Sequence, residues 1–144
     1  MIRNISFNDK ELKEEIIQLV GKSFSLLSRF KMGGIGSQRY VSVEASPMIQ
    51  ELFEHDNKTN FCNIELREKG IILHFRSRLD TFGWIVPYHL LSVFKSDDSY
   101  SIYAASDFVK LKAAHNSSLN HRFIHKLLKL KNESNGHFTQ IDQI

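Results

Sequence analysis

The chain has 144 residues, enough for one domain with a sizeable core, and its 42% hydrophobic and 24% charged residues are ordinary for a globular protein. A formal net charge of +3 does not call for a nucleic-acid partner, and a single cysteine excludes an intramolecular disulfide framework. The N-terminus lacks the apolar segment of a secretory signal, and no apolar run approaches the about 18 residues that span a bilayer. We therefore expect a cytoplasmic protein.

The first predicted element is an amphipathic helix over residues 8–32, where apolar side chains recur at steps of three and four. Asn8 is expected to cap its start, and Gly33-Gly34 to end it. Gly21 inside the helix favours a kink or a close approach. We expect residues 1–34 to pack on the same domain, and a symmetric homodimer through the apolar stripe is the alternative.

A domain over residues 35–131 follows, with seven predicted antiparallel strands. Residues 39–45 alternate in polarity as a strand does, and Ser46-Pro47 then starts a short helix that ends at Glu54. A hairpin turn at Lys69-Gly70 would pair Ile64 with Phe75, which places apolar side chains on one face.

A second hairpin is predicted with its turn at Ala105-Ser106. This turn pairs Ile102 with Val109 and Tyr103 with Phe108. Between the hairpins, residues 82–86 and 90–95 predict two further strands, and Pro87 ends the first because proline lacks a backbone N–H.

The last predicted element is a C-terminal helix with a buried apolar stripe that includes Leu127. Residues 132–144 are predicted to form a frayed tail.

No residue pattern indicates catalysis, a cofactor or a metal. The glycines at 33, 34 and 36 lie between a helix and a strand, whereas a dinucleotide fingerprint follows a strand and opens a helix. His121 and His125 are one helical turn apart, but their cationic neighbours oppose a metal, and the other five histidines are scattered. Cys62 falls on the apolar face of its strand and is expected to be buried.

Cationic side chains on one sheet face make the candidate site. The leading interpretation is a solvated face balanced by Glu65 and Glu68, and the alternative is that this face binds an anion or an acidic peptide of a partner protein. The loops lack a dense Lys/Arg cluster, so lipid and nucleic-acid recognition are not expected. The candidate residues are His74, Arg76, Arg78 and Lys110.

Four segments, ELREKGI, IVPYHLLSVF, SYSIYAASDFVKLKA and FIHKLLK, resemble bacterial domains of the pleckstrin-homology-like (PH-like) fold. The resemblance covers about residues 39–131. It implies an α+β fold, in which a seven-stranded antiparallel sandwich or partly open barrel is plugged at one end by the C-terminal helix. The helix over residues 8–32 is an addition to that fold. The leading expectation is a non-catalytic binding or scaffolding module, because this fold resemblance is combined with the lack of a catalytic residue pattern. Fold alone does not fix function.

The run HDNKTNFCNIELREKGIILHFRSRLDTF also resembles a group of small bacterial proteins. Some of them carry the name of a purine-biosynthesis enzyme, phosphoribosylaminoimidazole-succinocarboxamide synthase. This second resemblance implies an ATP-binding ligase as the alternative function. No residue of the chain matches the nucleotide-binding motifs of that synthase, so the binding module remains the leading expectation.

Overall fold

The computed structural model describes residues 1–54, 60–114 and 117–142, except for the side chains of 117–120 and 135–142. These residues form an α+β fold of eight antiparallel strands and four α-helices. The strands are β1 (Ile2–Asn4), β2 (Tyr40–Ala45), β3 (Phe61–Leu66), β4 (Gly70–Ser77), β5 (Asp80–Pro87), β6 (Leu91–Ser96), β7 (Ser99–Ala104) and β8 (Asp107–Ala113). The helices are α1 (Lys10–Val20), α2 (Leu26–Met32), α3 (Pro47–Glu54) and α4 (Ser117–Asp142), and a 3-10 turn spans Tyr88–Leu90.

The strands form one open sheet in the order β1-β5-β4-β3-β2-β8-β7-β6. Strands β2 to β8 lie where the sequence predicted seven strands, and β1 is an eighth. It pairs with β5, with Ile2 opposite Trp84. A strand of three residues is too short for alternating polarity to identify it, which is why the sequence did not indicate it.

The β3–β4 hairpin is displaced by two residues from its predicted register. Ile64 pairs with Leu73 and not with Phe75, so the turn lies at residues 68–69 instead of 69–70. Because side chains alternate between faces with period two, a shift of two residues keeps the same apolar side chains on the core face. The faces were therefore predicted correctly, and the register was wrong.

The prediction was wrong because it assigned Gly70 to the turn. Gly70 lies inside β4, opposite Pro87, and not in the turn. A Cβ at this position would lie 2.4 Å from the Val86 carbonyl oxygen and 2.5 Å from the Val20 side chain. Glycine is needed here because β5 and α1 approach the backbone closely, and not because the turn requires a positive φ.

The β7–β8 hairpin has the predicted register. Ile102 lies opposite Val109, and Tyr103 lies opposite Phe108. Ala105 occupies the turn with a φ of 54°, in the left-handed region. The sequence prediction succeeded here because both strands alternate clearly on either side of the turn.

The predicted helix over residues 8–32 is two helices in the structure. Asp9, and not Asn8, caps α1, since its side chain accepts hydrogen bonds from the first-turn N–H groups. Gly21 ends α1 with a φ of 85°. Ser25 then starts α2, and its hydroxyl accepts from the backbone N–H of Ser28. The glycine thus produces a full break.

The two helices differ in burial. On α1, Ile16 and Val20 are buried with Ile72 and Ile85 on the outer face of β4 and β5. This small cluster is separate from the main core. On α2, three large apolar side chains are exposed: Leu26, Leu27 and Phe30.

The main core lies on the other face of the sheet. One apolar cluster includes inward residues from both β3–β5 and β7–β8, so the sheet curves around it. From α4, Phe123, Ile124 and Leu127 complete this cluster. The helix continues to Asp142, whereas the sequence predicted a tail over residues 132–144. None of the described helices combines the length and apolar composition needed to cross a membrane.

Candidate functional site

A groove of about 520 Å³ lies on the outer face of β3 and β4, beside the segment that leads into β2. We call it the outer groove. Its lining includes the outward-facing side chains of Arg39, Phe61, Asn63, Glu65, His74, Arg76 and Thr81. Strand alternation places them there, because Ile64 and Phe75 between them point into the core.

Glu65 is the acidic residue of the outer groove, and its charge is compensated within the sheet. One carboxylate oxygen lies 3.0 Å from His74 Nε2, and the other accepts a hydrogen bond from Arg67 Nε. Arg67 also donates to the Gly21 carbonyl at 3.1 Å, which ties this network to the end of α1. Burial alone would raise the pKa of Glu65, but the hydrogen bond to His74 and the Arg67 charge outweigh it and lower the pKa. Glu65 is therefore ionised and paired.

The guanidinium groups of Arg39 and Arg76 have other contacts than Arg67, which pairs with Glu65. Arg39 lies over the Phe61 ring, with its Cζ 4.7 Å from the ring centroid. Arg76 donates to the Leu79 carbonyl at 3.4 Å. Neither has a carboxylate partner in the described part of the chain. The outer groove thus presents two cations that no acid neutralises.

The structure places two of the four predicted site residues, His74 and Arg76, in the outer groove. Arg78 lies in the turn between β4 and β5, with a φ of 59°. Lys110 lies on β8, which β3 and β2 separate from β4, and it pairs there with Glu44 and Ser101. The four residues do not form one site.

Arg39 and Phe61 of the outer groove were not among the site residues predicted from the sequence. They come together because β2 pairs with β3, with Val41 opposite Phe61. Alternating polarity identifies each strand but not its partner, and no turn connects these two strands directly. The one sequence feature that could have indicated Arg39 is an arginine at the start of a predicted strand. This feature is too common to identify a site.

The cysteine and the histidines that the sequence offered as a nucleophile or as metal ligands do not form a reactive site among the described residues. Cys62 is buried, and burial raises the pKa of its thiol to about 12, so it stays protonated. His121 is hydrogen-bonded through Nδ1 to the Tyr100 hydroxyl, and His125 is exposed. His55, His115 and the side chain of His137 lie outside the described residues. Within the described part of the chain, no group of three or more His, Cys, Asp or Glu side chains is arranged to hold a metal.

Comparisons with known proteins add no relative. No family model matches the chain, and no curated protein sequence matches it significantly.

Proposed function

We propose that the protein is a non-catalytic binding module and that its outer groove binds a carboxylate-rich segment of a partner protein. The observation that carries this proposal is the pair of guanidinium groups, Arg39 and Arg76, that have no acidic partner among the described residues. A planar guanidinium donates two parallel hydrogen bonds to a carboxylate, so each arginine supplies a ready site for an acidic side chain.

The neighbouring side chains support the same ligand class. Glu65 would repel an acidic segment if it were unpaired, but the Arg67 guanidinium compensates its charge and His74 is hydrogen-bonded to its other carboxylate oxygen. Asn63 adds an exposed amide to the groove floor. The groove volume of about 520 Å³ falls within the range of about 300–1,000 Å³ that is usual for ligand sites.

We also propose that the domain belongs to the PH-like fold. Two meanders, β2-β3-β4-β5 and β6-β7-β8, are joined by the pairing of β2 with β8, and a C-terminal helix packs on the core. This arrangement supports the proposal. In that case β1 and α1 are additions to the basic domain. The fold is compatible with a binding or scaffolding role but does not name the ligand, so the groove residues carry the functional proposal.

Fluorescence anisotropy with a labelled poly-glutamate peptide tests the binding proposal. We expect saturable binding that weakens about tenfold in Arg39→Gln and in Arg76→Gln, because each variant loses one charged hydrogen-bonding group. The matched control is Lys129→Gln, which removes the same charge from an exposed position on α4. It should change the affinity by less than about twofold, since distant surface charges are screened.

Two outcomes would contradict the proposal. If Lys129→Gln weakens binding as much as Arg39→Gln, net charge and not the groove attracts the peptide. A thermal-shift screen with ATP and aminoimidazole nucleotides tests the alternative function, an ATP-binding ligase. A saturable shift with ATP, together with turnover, would replace the binding module with the ligase that the second resemblance implies.

A further inference from the structure

Three apolar side chains of α2 project into solvent from one face of the helix. Leu26, Leu27 and Phe30 are 81%, 65% and 85% exposed, and we call them the apolar tip. At 3.6 residues per turn, these positions fall within about 100° of the helix circumference. Met32, on the opposite side of α2, packs against the main core. Single exposed apolar residues are ordinary, but three large ones together indicate an interaction surface.

The charged residues around the apolar tip are bases. Arg29 and Lys31 lie on either side of it on the helix, and Lys22 precedes it in the connection from α1. Residues 16–43 contain no Asp or Glu. Because the chain breaks at Gly21, the acids of α1 do not share a helix with these bases. The apolar tip is therefore surrounded by positive charge along its own segment.

Helix α4 adds further bases at the end of α2. Lys126 donates to the carbonyls of Gly33 and Gly34, at 3.3 Å each. Arg122 lies one turn earlier, and together they line a groove that has no acid among its described residues. Glu133 is the acid of this part of α4, about two turns beyond Lys126. The surface next to the end of α2 is thus also positive.

The start of the connection to α2 is close to neutral. Glu68 lies beside Gly21, but Lys69 lies there as well. Arg67 donates to the Gly21 carbonyl and pairs with Glu65. These charges compensate one another, so the bases around the apolar tip keep a net positive charge.

The shape and charge of this surface decide what binds to it. Two-fold pairing through α2 would place Arg29 and Lys31 against the same bases of a second copy, and like charges repel. The cavities beside α2 are not lined by Leu26, Leu27 or Phe30, so the apolar tip protrudes. A bilayer surface accepts protruding apolar side chains without a matching pocket, and anionic headgroups attract the bases beside them.

We propose that the protein binds reversibly to membranes that contain anionic lipids, with the apolar tip inserted among the headgroups. Lys22, Arg29 and Lys31 then lie against the anionic headgroups. Three apolar side chains alone give weak insertion, so attachment needs both the apolar and the electrostatic contribution. None of these residues lines the outer groove, and the proposal is independent of the peptide-binding proposal.

The sequence did not indicate this surface. The continuous helical period of residues 8–32 assigned all three apolar residues to one stripe, and that stripe was expected to pack on the domain. The stripe is divided in the structure. Ile16 and Val20 of α1 are buried on the sheet, whereas the apolar tip of α2 is not covered.

Co-sedimentation of the full chain with lipid vesicles tests this inference. We expect binding to vesicles of an equimolar mixture of phosphatidylcholine and phosphatidylserine. Binding to phosphatidylcholine alone should be at least about tenfold weaker, because the bases then lack anionic partners. Added NaCl should weaken binding to the mixed vesicles, since salt screens the attraction.

Two double variants separate the two contributions. Leu26→Gln/Phe30→Gln should weaken binding to the mixed vesicles at least about tenfold, because two of the three inserted side chains are lost. Lys22→Gln/Lys31→Gln should weaken it about fivefold for each base removed. Circular dichroism checks that both variants keep the fold.

Each double variant has a control. Phe94→Gln removes an exposed aromatic ring from β6, and Lys10→Gln/Lys110→Gln removes two charges from α1 and β8. Both should leave binding within about twofold, because they lie outside the apolar tip and its bases.

Four outcomes would overturn the proposal. These are the absence of binding to the mixed vesicles, equal binding to phosphatidylcholine alone, and unchanged binding in Leu26→Gln/Phe30→Gln. The fourth is an equal loss in the two lysine variants, which would mean that net charge alone attracts the protein. A wild-type dimer that becomes a monomer in Leu26→Gln/Phe30→Gln, measured by light scattering without lipid, would assign the apolar tip to a second copy instead.

Discussion

Tyr40 and Tyr88 are both buried tyrosines, but among the residues that the structure describes only the Tyr88 hydroxyl has a hydrogen-bond partner. The Tyr88 hydroxyl donates to the Arg67 carbonyl at 2.7 Å, and the Tyr40 hydroxyl is unpaired among the described residues. We expect Tyr88→Phe to lower the free energy of unfolding by about 1–2 kcal/mol, because it leaves a buried carbonyl without its donor. Tyr40→Phe should leave the free energy unchanged or raise it by about 1 kcal/mol.

Urea unfolding of the wild type and the two variants measures this difference. The variants are matched controls, since each removes one buried hydroxyl and retains the ring. Equal losses in the two variants would mean that Tyr40 has a partner in solution, such as an ordered water, and would contradict the prediction.

At the level of single residues, the sequence predicted which face of the sheet a side chain lies on. It did not predict which residues of other strands lie beside it. His74 and Arg76 lie on the predicted outer face, because alternation along β4 decides which way each side chain points. Arg39 was not linked to them, since its place in the outer groove depends on the pairing of β2 with β3. Lys110 lies opposite Ser101 in the β7–β8 hairpin, and two strands separate it from β4. Periodicity does not encode strand order.

At the level of elements, α4 tests how far a helix contributes to the core. Leu127 is 0% exposed and belongs to the main cluster, whereas its neighbour Leu128 is 36% exposed. We expect Leu127→Ala to lower the free energy of unfolding by about 2–5 kcal/mol, because it removes buried methyl groups and leaves a cavity. Leu128→Ala should cost less than about 1 kcal/mol. Chemical unfolding of both variants provides the measurement, and similar losses would show that α4 packs through another face.

Two elements show that apolar periodicity does not locate the ends of helices and strands. Residues 8–32 have a continuous helical period, yet α1 and α2 are separate helices. The break follows from Gly21 and from the cap at Ser25, two local signals that the apolar spacing does not register. In the same way, the β3–β4 turn was misplaced because Gly70 was assigned to it, whereas Gly70 lies in β4, where a Cβ would come within 2.5 Å of the Val20 side chain. Periodicity located these elements, but it did not locate the break at Gly21 or the β3–β4 turn.

For the whole molecule, α1 acts as a cover for the outer face of β4 and β5. Its residues Ile16 and Val20 are buried with Ile72 and Ile85, two strand residues that would otherwise face water. We expect a chain without residues 1–21 to aggregate, because this deletion removes both β1 and α1 and exposes an apolar patch beside an unpaired strand edge. Light scattering and circular dichroism of the truncated and intact chains, at equal concentration, measure the outcome.

The exposed apolar residues of α2 provide the control for this deletion. Leu26 and Phe30 are 81% and 85% exposed, so a Leu26→Gln/Phe30→Gln variant removes apolar surface without uncovering the sheet. It should keep the fold and the solubility of the intact chain, since exposed substitutions change stability by less than about 0.5 kcal/mol each. Its mass beside that of the intact chain also tests the homodimer alternative, because a dimer that uses α2 would become a monomer. A truncated chain that stays folded, monomeric and soluble would contradict the covering role of α1.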